Sequence, residues 1–160
     1  MAKRLAAFFD EEDIRLLVQG EDLSPRRMLE EFRKDGHAVL FGTASFWTGV
    51  DVPGDALSNV IITRLPFAVP NHPLVQARSE LIEKNNGNSF MDYSVPEAVL
   101  KFRQGFGRLI RTKEDTGIIV ILDSRIVTKR YGSQFLNSIP HCPIQITNEG
   151  KSLQGGQDGF

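Results

Sequence analysis

The chain has 160 residues, enough for one domain with a sizeable core, and its 41% hydrophobic and 24% charged fractions are those of an ordinary globular protein. A net charge of -1 excludes a global basic field for nucleic acid, though not a local basic patch. The single cysteine, Cys142, excludes an internal disulfide or a cysteine-ligated zinc or iron–sulfur site within this chain, and the three histidines are scattered without metal-ligand spacing.

The chain opens on "AKRLAAFFDEED", which places Leu5, Phe8 and Phe9 on one helical face with no cap before it. "IRLLVQG" (14–20) is a short apolar run closed by Gly20 and predicts a buried strand. Ser24 followed by Pro25 predicts a helix start, Met28, Leu29 and Phe32 supply its apolar stripe, and Gly36 should end it. "HAVLFGT" (37–43), "NVIITRLPF" (59–67) and "GIIVILDSR" (117–125) predict three further strands. Between the last two, "VPNHP" is a turn-rich corner, "LVQARSELIEKN" has helical spacing and "NGNS" breaks it. "SVPEAVLKFRQGFGRLIRT" predicts a long amphipathic helix with a cap at Ser94 and Pro96 in its first turn. "TKRYGSQFLNSIP" predicts a last helix, "CPIQIT" a short edge strand, and residues 148–160 a disordered tail. Apolar strands separated by helices predict an α/β fold with a mostly parallel central sheet flanked by helices on both faces. There is no signal peptide and no apolar run long enough for a bilayer, so no membrane partner and a cytoplasmic compartment are expected.

In an open parallel sheet the site lies at the carboxyl ends of the strands, and the sequence is unusual just after Thr43, Leu65 and Asp123. Two segments carry candidate chemistry. In "QGFGRLIRT" (104–112), continuous helical spacing would bring Gln104, Arg108 and Arg111 within about 60° of one another, opposite Val99, Phe102, Phe106, Leu109 and Ile110. Arginine suits phosphate because its planar fork is always charged and donates bidentately. Gly105 and Gly107 each cost roughly 1 kcal/mol in a helix interior and read as clearance beside that polar face. A solvated basic face with tolerated glycines is the plainer alternative. In "GTASFWTGVDVPGD" (42–55), small residues at Thr43, Ser45, Thr48 and Gly49 expose backbone N–H groups that can meet phosphate oxygens. Asp51 can bond a ribose hydroxyl, a backbone N–H or an arginine, and Trp47 reads as an anchor. The G-x-x-x-x-G-K-[ST] loop that cradles a nucleoside triphosphate is missing throughout the chain.

"SFWTGVDVPGD" followed by "QGFGRLIRT" resembles motifs V and VI of DNA helicases of the DinG/XPD type in helicase superfamily two. "IITRLPFAVPNHPLVQAR" and "ILDSRIVTKRYGSQFLNSIP" resemble the DinG branch in particular, so that the likeness covers roughly residues 5–147. The resemblance implies the second of two RecA-like domains, with ATP and magnesium bound between them. The first domain would carry the phosphate loop, the acidic metal site and, where present, a four-cysteine iron–sulfur cluster, none of which this chain holds. It implies a piece of a longer bacterial helicase, without the first strand of its own domain and inactive alone, whose partners are that N-terminal RecA-like domain and single-stranded or forked DNA. Gln104, Gly107, Arg108 and Arg111 match Q-x-x-G-R-x-x-R. The resemblance implies that Arg111 is the arginine finger and Arg108 a second phosphate or interdomain contact. Gly49 and Asp51 match the G-x-D of motif V, on the nucleotide side, while Thr43, Ser45 and Trp47 are expected near the nucleic acid. Many relatives place Glu where this chain has Thr48. The alternative function is a stand-alone binding module for nucleic acid or protein that keeps the helicase fold.

Overall fold

The computed structural model describes residues 1–21, 23–43, 57–110, 116–148 and 151–153. Helix α1 (Ala2–Glu11) leads into strand β1 (Leu16–Val18), helix α2 (Pro25–Asp35) and strand β2 (Val39–Phe41). Strand β3 (Asn59–Ile62), helix α3 (Pro73–Lys84), a π-helical turn Phe90–Ser94 and helix α4 (Val95–Leu109) follow. Strand β4 (Ile118–Ile121), the short helices α5 (Arg125–Thr128) and α6 (Gly132–Leu136), and strands β5 (Ile146–Asn148) and β6 (Lys151–Leu153) complete the order.

The pairing is parallel where the sequence predicts it. β1 pairs with β2 and β3 with β4, both in parallel, with Leu17 opposite Leu40 and Ile61 opposite Val120. Among the described residues these are two separate two-stranded ladders rather than one continuous sheet. Each has its own core. Leu17, Met28 and Phe32 are buried together under β1, β2 and α2. Ile62, Leu65, Ala98, Phe102, Ile126 and Phe135 are buried between the second ladder and helices α4, α5 and α6.

Local signals account for α2. The Ser24 hydroxyl accepts the Arg27 N–H, Pro25 sits in the first turn, and Gly36 closes the helix in the left-handed region at φ 70°. The cap expected at Ser94 is not made. Ser94 already has helical φ and ψ because the π-helical turn runs straight into α4, so its side chain makes no capping bond. That turn begins instead at Asn88, whose Oδ1 accepts the Met91 N–H while Asp92 Oδ2 accepts the Asn88 N–H. The expected last helix is two short ones, joined where Gly132 lies against the backbone of the preceding turn. A Cβ there would stand 2.0 Å from the Ile126 carbonyl oxygen, so only glycine fits. β5 pairs antiparallel with β6, with Asn148 opposite Lys151, so that pairing reaches into the stretch expected to be a disordered tail.

Cover on both faces of the sheet is not what the second ladder shows. Val60, Ile62, Ile119 and Ile121 face the helices, whereas Ile61 and Ile118 on the other face are 61% and 62% exposed. The strands are apolar on both faces, as buried parallel strands are, but only one face is covered by described residues of this chain.

Candidate functional site

α4 is the element that presents the polar motif. Val95, Ala98, Phe102, Gly105, Phe106 and Leu109 are buried along one side. Phe102 is fully buried and meets the Phe135 ring edge-on at 5.4 Å. Fully burying one such side chain stabilises by about 1.5–3 kcal/mol, so the rotational setting of the helix is fixed by its core side. Gln104 and Gly107 are then left exposed and Arg108 half-buried, one helical turn apart on the outer side.

The two glycines have different roles. Gly105 is buried among the core residues and, contrary to the expectation from the sequence, does not flank the polar face. Gly107 does: a Cβ built on it meets nothing within 4 Å. The helix is also shorter than expected. It ends at Leu109, and Ile110 is extended at φ -111° and ψ 105°. Helical spacing therefore does not carry Arg111 onto the face of Gln104 and Arg108. Arg111 itself, with Ser45, Trp47, Gly49 and Asp51, lies outside the described residues.

Thr43 stands on the other ladder, just past β2. It is exposed, and both its backbone N–H and its hydroxyl are 2.8 Å from Gln19 Oε1. Sequence reading passed over Gln19, although its place directly after an apolar strand is the usual address of a site residue.

A second tie at strand ends was also missed. Past β4, Asp123 is buried, and its Oδ2 accepts the Leu65 N–H at 2.8 Å just past β3. Its carboxylate also takes the Arg125 backbone N–H at 3.1 Å, Nε at 2.9 Å and a terminal guanidinium nitrogen at 2.6 Å. The Arg125 guanidinium holds the carboxyl down to about 2, helped by the two backbone N–H groups and against the opposing effect of burial. The same guanidinium lies over the Phe67 ring at 5.3 Å. Phe67 packs in turn against Phe90, Tyr131 and Phe135. The Asp-Ser-Arg triplet after an apolar run is the signal that could have revealed this clamp.

Among the described residues no three His, Cys, Asp or Glu side chains gather as a metal site, and no helix is long and apolar enough to cross a membrane. What the described site offers is an amide and a guanidinium on a rigid helix with open space beside them. Such groups can bind negative charge, and among the described residues of this face there is no nucleophile–base pair.

The helicase C-terminal domain family matches residues 1–142. The ATP-dependent DNA helicase YoaA of Haemophilus influenzae is 48% identical over 88% of this chain and 22% of its own length. The 3'-5' exonuclease DinG of Bacillus subtilis is 51% identical over 82% of this chain and 14% of its own length. The ATP-dependent helicase DinG of Mycobacterium tuberculosis is 45% identical over 78% of this chain and 19% of its own length. The chain thus spans about a fifth of the length of the relatives it matches, and the matched region takes in both the α4 motif and the Asp123 clamp. The chain belongs to the helicase C-terminal domain family, as a C-terminal domain of the DinG type.

Proposed function

We propose that this domain is one side of the motor of an ATP-driven DNA helicase. It supplies Arg108 and Arg111 to a nucleotide site completed by another domain, and its strand ends form part of the track for single-stranded DNA. One observation carries the reading: α4 buries six residues on one side and presents Gln104, Gly107 and Arg108 on the other, with open space over Gly107. A charge-binding face that is set so firmly, yet has no phosphate loop anywhere in the sequence, suits a site whose nucleotide is held elsewhere. Bound magnesium would neutralise phosphate charge there, and no described acidic group of this chain gathers to hold it. On this reading Arg111 stabilises charge on the transferring phosphoryl group and Arg108 makes a second phosphate or interdomain contact. Gly49 and Asp51 act on the nucleotide side, and Ser45 and Trp47 stand near the DNA.

The direct test is hydrolysis. This chain alone is expected to turn over ATP no faster than background, with or without single-stranded DNA. Clear hydrolysis by the pure chain would overturn the proposal, and tight oligonucleotide binding without any role in hydrolysis by the complete polypeptide would favour a stand-alone binding module.

Gly107 gives a sharper result. Nothing in the described domain opposes a methyl group there, and replacing glycine by alanine in a helix gains up to about 1 kcal/mol. Gly107→Ala should therefore raise the melting temperature of the domain. In the complete polypeptide the same change should lower ATP turnover, because the space over Gly107 is where the other domain approaches. A variant that is both more stable and fully active would show that the space has no occupant.

A further inference from the structure

The carboxyl ends of β1 and β2 hold a small hydrogen-bonded unit. Gln19 follows β1 directly and donates its backbone N–H to the Phe41 carbonyl at 2.9 Å, which ties it to the last residue of β2. Its side-chain Oε1 then accepts two donors from one residue, the Thr43 backbone N–H and the Thr43 hydroxyl, each at 2.8 Å.

Donor and acceptor chemistry fixes the direction of both bonds. A backbone N–H can only donate, so the Gln19 amide must turn its oxygen toward Thr43. An amide oxygen can only accept, so the Thr43 hydroxyl must donate to it. Thr43 owns one amide proton and one hydroxyl proton, and both go to Gln19. Phosphate oxygens also only accept. Thr43 in this arrangement thus has no proton to give a phosphate, which removes the physical basis for its expected contact with DNA.

We propose that Gln19 is a positioning residue: it holds Thr43 and so sets how the chain leaves β2 toward motif V. Thr43 is the anchor of that exit and not a phosphate ligand. The functional half of this inference rests on the helicase reading; the hydrogen-bonded unit does not.

The test uses the complete polypeptide that carries this domain. Gln19→Leu is expected to raise the concentration of single-stranded oligonucleotide that half-saturates ATP hydrolysis about tenfold, with turnover at saturation changed by less than about twofold. Thr43→Val should raise it on its own but add less than about twofold in the Gln19→Leu background, because both substitutions break one unit. A phosphate ligand behaves otherwise: its loss costs the same in either background, and such additivity would overturn the proposal. Amide hydrogen exchange at Thr43 reads the unit without any catalysis. Its protection should fall in Gln19→Leu, and unchanged protection would also overturn the proposal. If Gln19→Leu does not fold, Gln19→Glu replaces it. A carboxylate still accepts both Thr43 donors, so protection at Thr43 should persist, and its loss would count against the unit. Should the unaltered polypeptide show no DNA-stimulated hydrolysis, the helicase reading falls while the exchange measurement still decides the role of Gln19.

Discussion

Arg111→Ala should reduce DNA-stimulated ATP turnover by the complete polypeptide on the order of 10³–10⁵-fold, the range expected for loss of an arginine finger. The effect belongs in turnover rather than in the Michaelis constant for ATP, because a finger acts on charge that develops only in the transition state. The fold should survive. Among the described residues the core of α4 ends on Leu109, which is 5% exposed, and the buried clusters are built from apolar side chains that do not include Arg111. Arg111→Lys keeps the charge but loses the planar fork, and it should recover only a small part of the rate. Near-normal turnover in Arg111→Ala, measured beside an unchanged melting temperature, would remove the finger assignment.

The described end of α4 bears on the expectation that the helix aims Arg111. Continuous helical spacing puts it on the same face as Gln104 and Arg108, but Ile110 is already extended and the helix has stopped. The helix cannot be credited with aiming Arg111. Of the two arginines, Arg108, half-buried and one residue before the helix end, is the one that α4 itself carries.

Legibility followed the range of the interactions. α2 was readable to within a residue because its start and stop are local: Ser24, Pro25 and the left-handed Gly36. The parallel strands were readable as elements but not in length. "NVIITRLPF" keeps its apolar character to Phe67, yet pairing ends at Ile62, and the Leu65 N–H goes instead to Asp123, a partner 58 residues away. No window on the sequence contains both groups. The same holds for Thr43 and Gln19, 24 residues apart. The contrast between the two glycines was available: Gly105 is three residues after Phe102 and four before Leu109, within the arc of the core. The uncovered face of β3 and β4 was not readable, because a strand apolar on both sides says that it wants two covers and not which chain provides them.

Among the described residues, Asp123→Ala should be the most damaging polar substitution, costing about 2–4 kcal/mol. Removing the carboxylate strands the Leu65 N–H and undoes the contacts made by Arg125, which also loses its hold over the Phe67 ring. For a domain of this size that loss corresponds to a fall of roughly 5–15 °C in melting temperature. The pH dependence identifies the carboxylate as the cause. Its folded pKa is lowered from the ordinary 3.8 to about 2, so the unfolded chain takes up the proton first as pH falls. The stabilisation is complete above the unfolded value and disappears as pH drops through the folded one. The gap in melting temperature between the unaltered chain and Asp123→Ala should thus be constant near neutral pH and narrow between about pH 4 and pH 2. A gap that stays constant down to pH 2 would mean that the variant fails through lost packing and not through lost charge. Asp123→Asn separates the two further. It keeps the volume and one oxygen, but its NH₂ faces either the Leu65 N–H or the Arg125 guanidinium, both of which donate. If charge and acceptor geometry hold the clamp, the asparagine variant should lose most of what the alanine variant loses near neutral pH, and its gap from the unaltered chain should narrow over the same pH range.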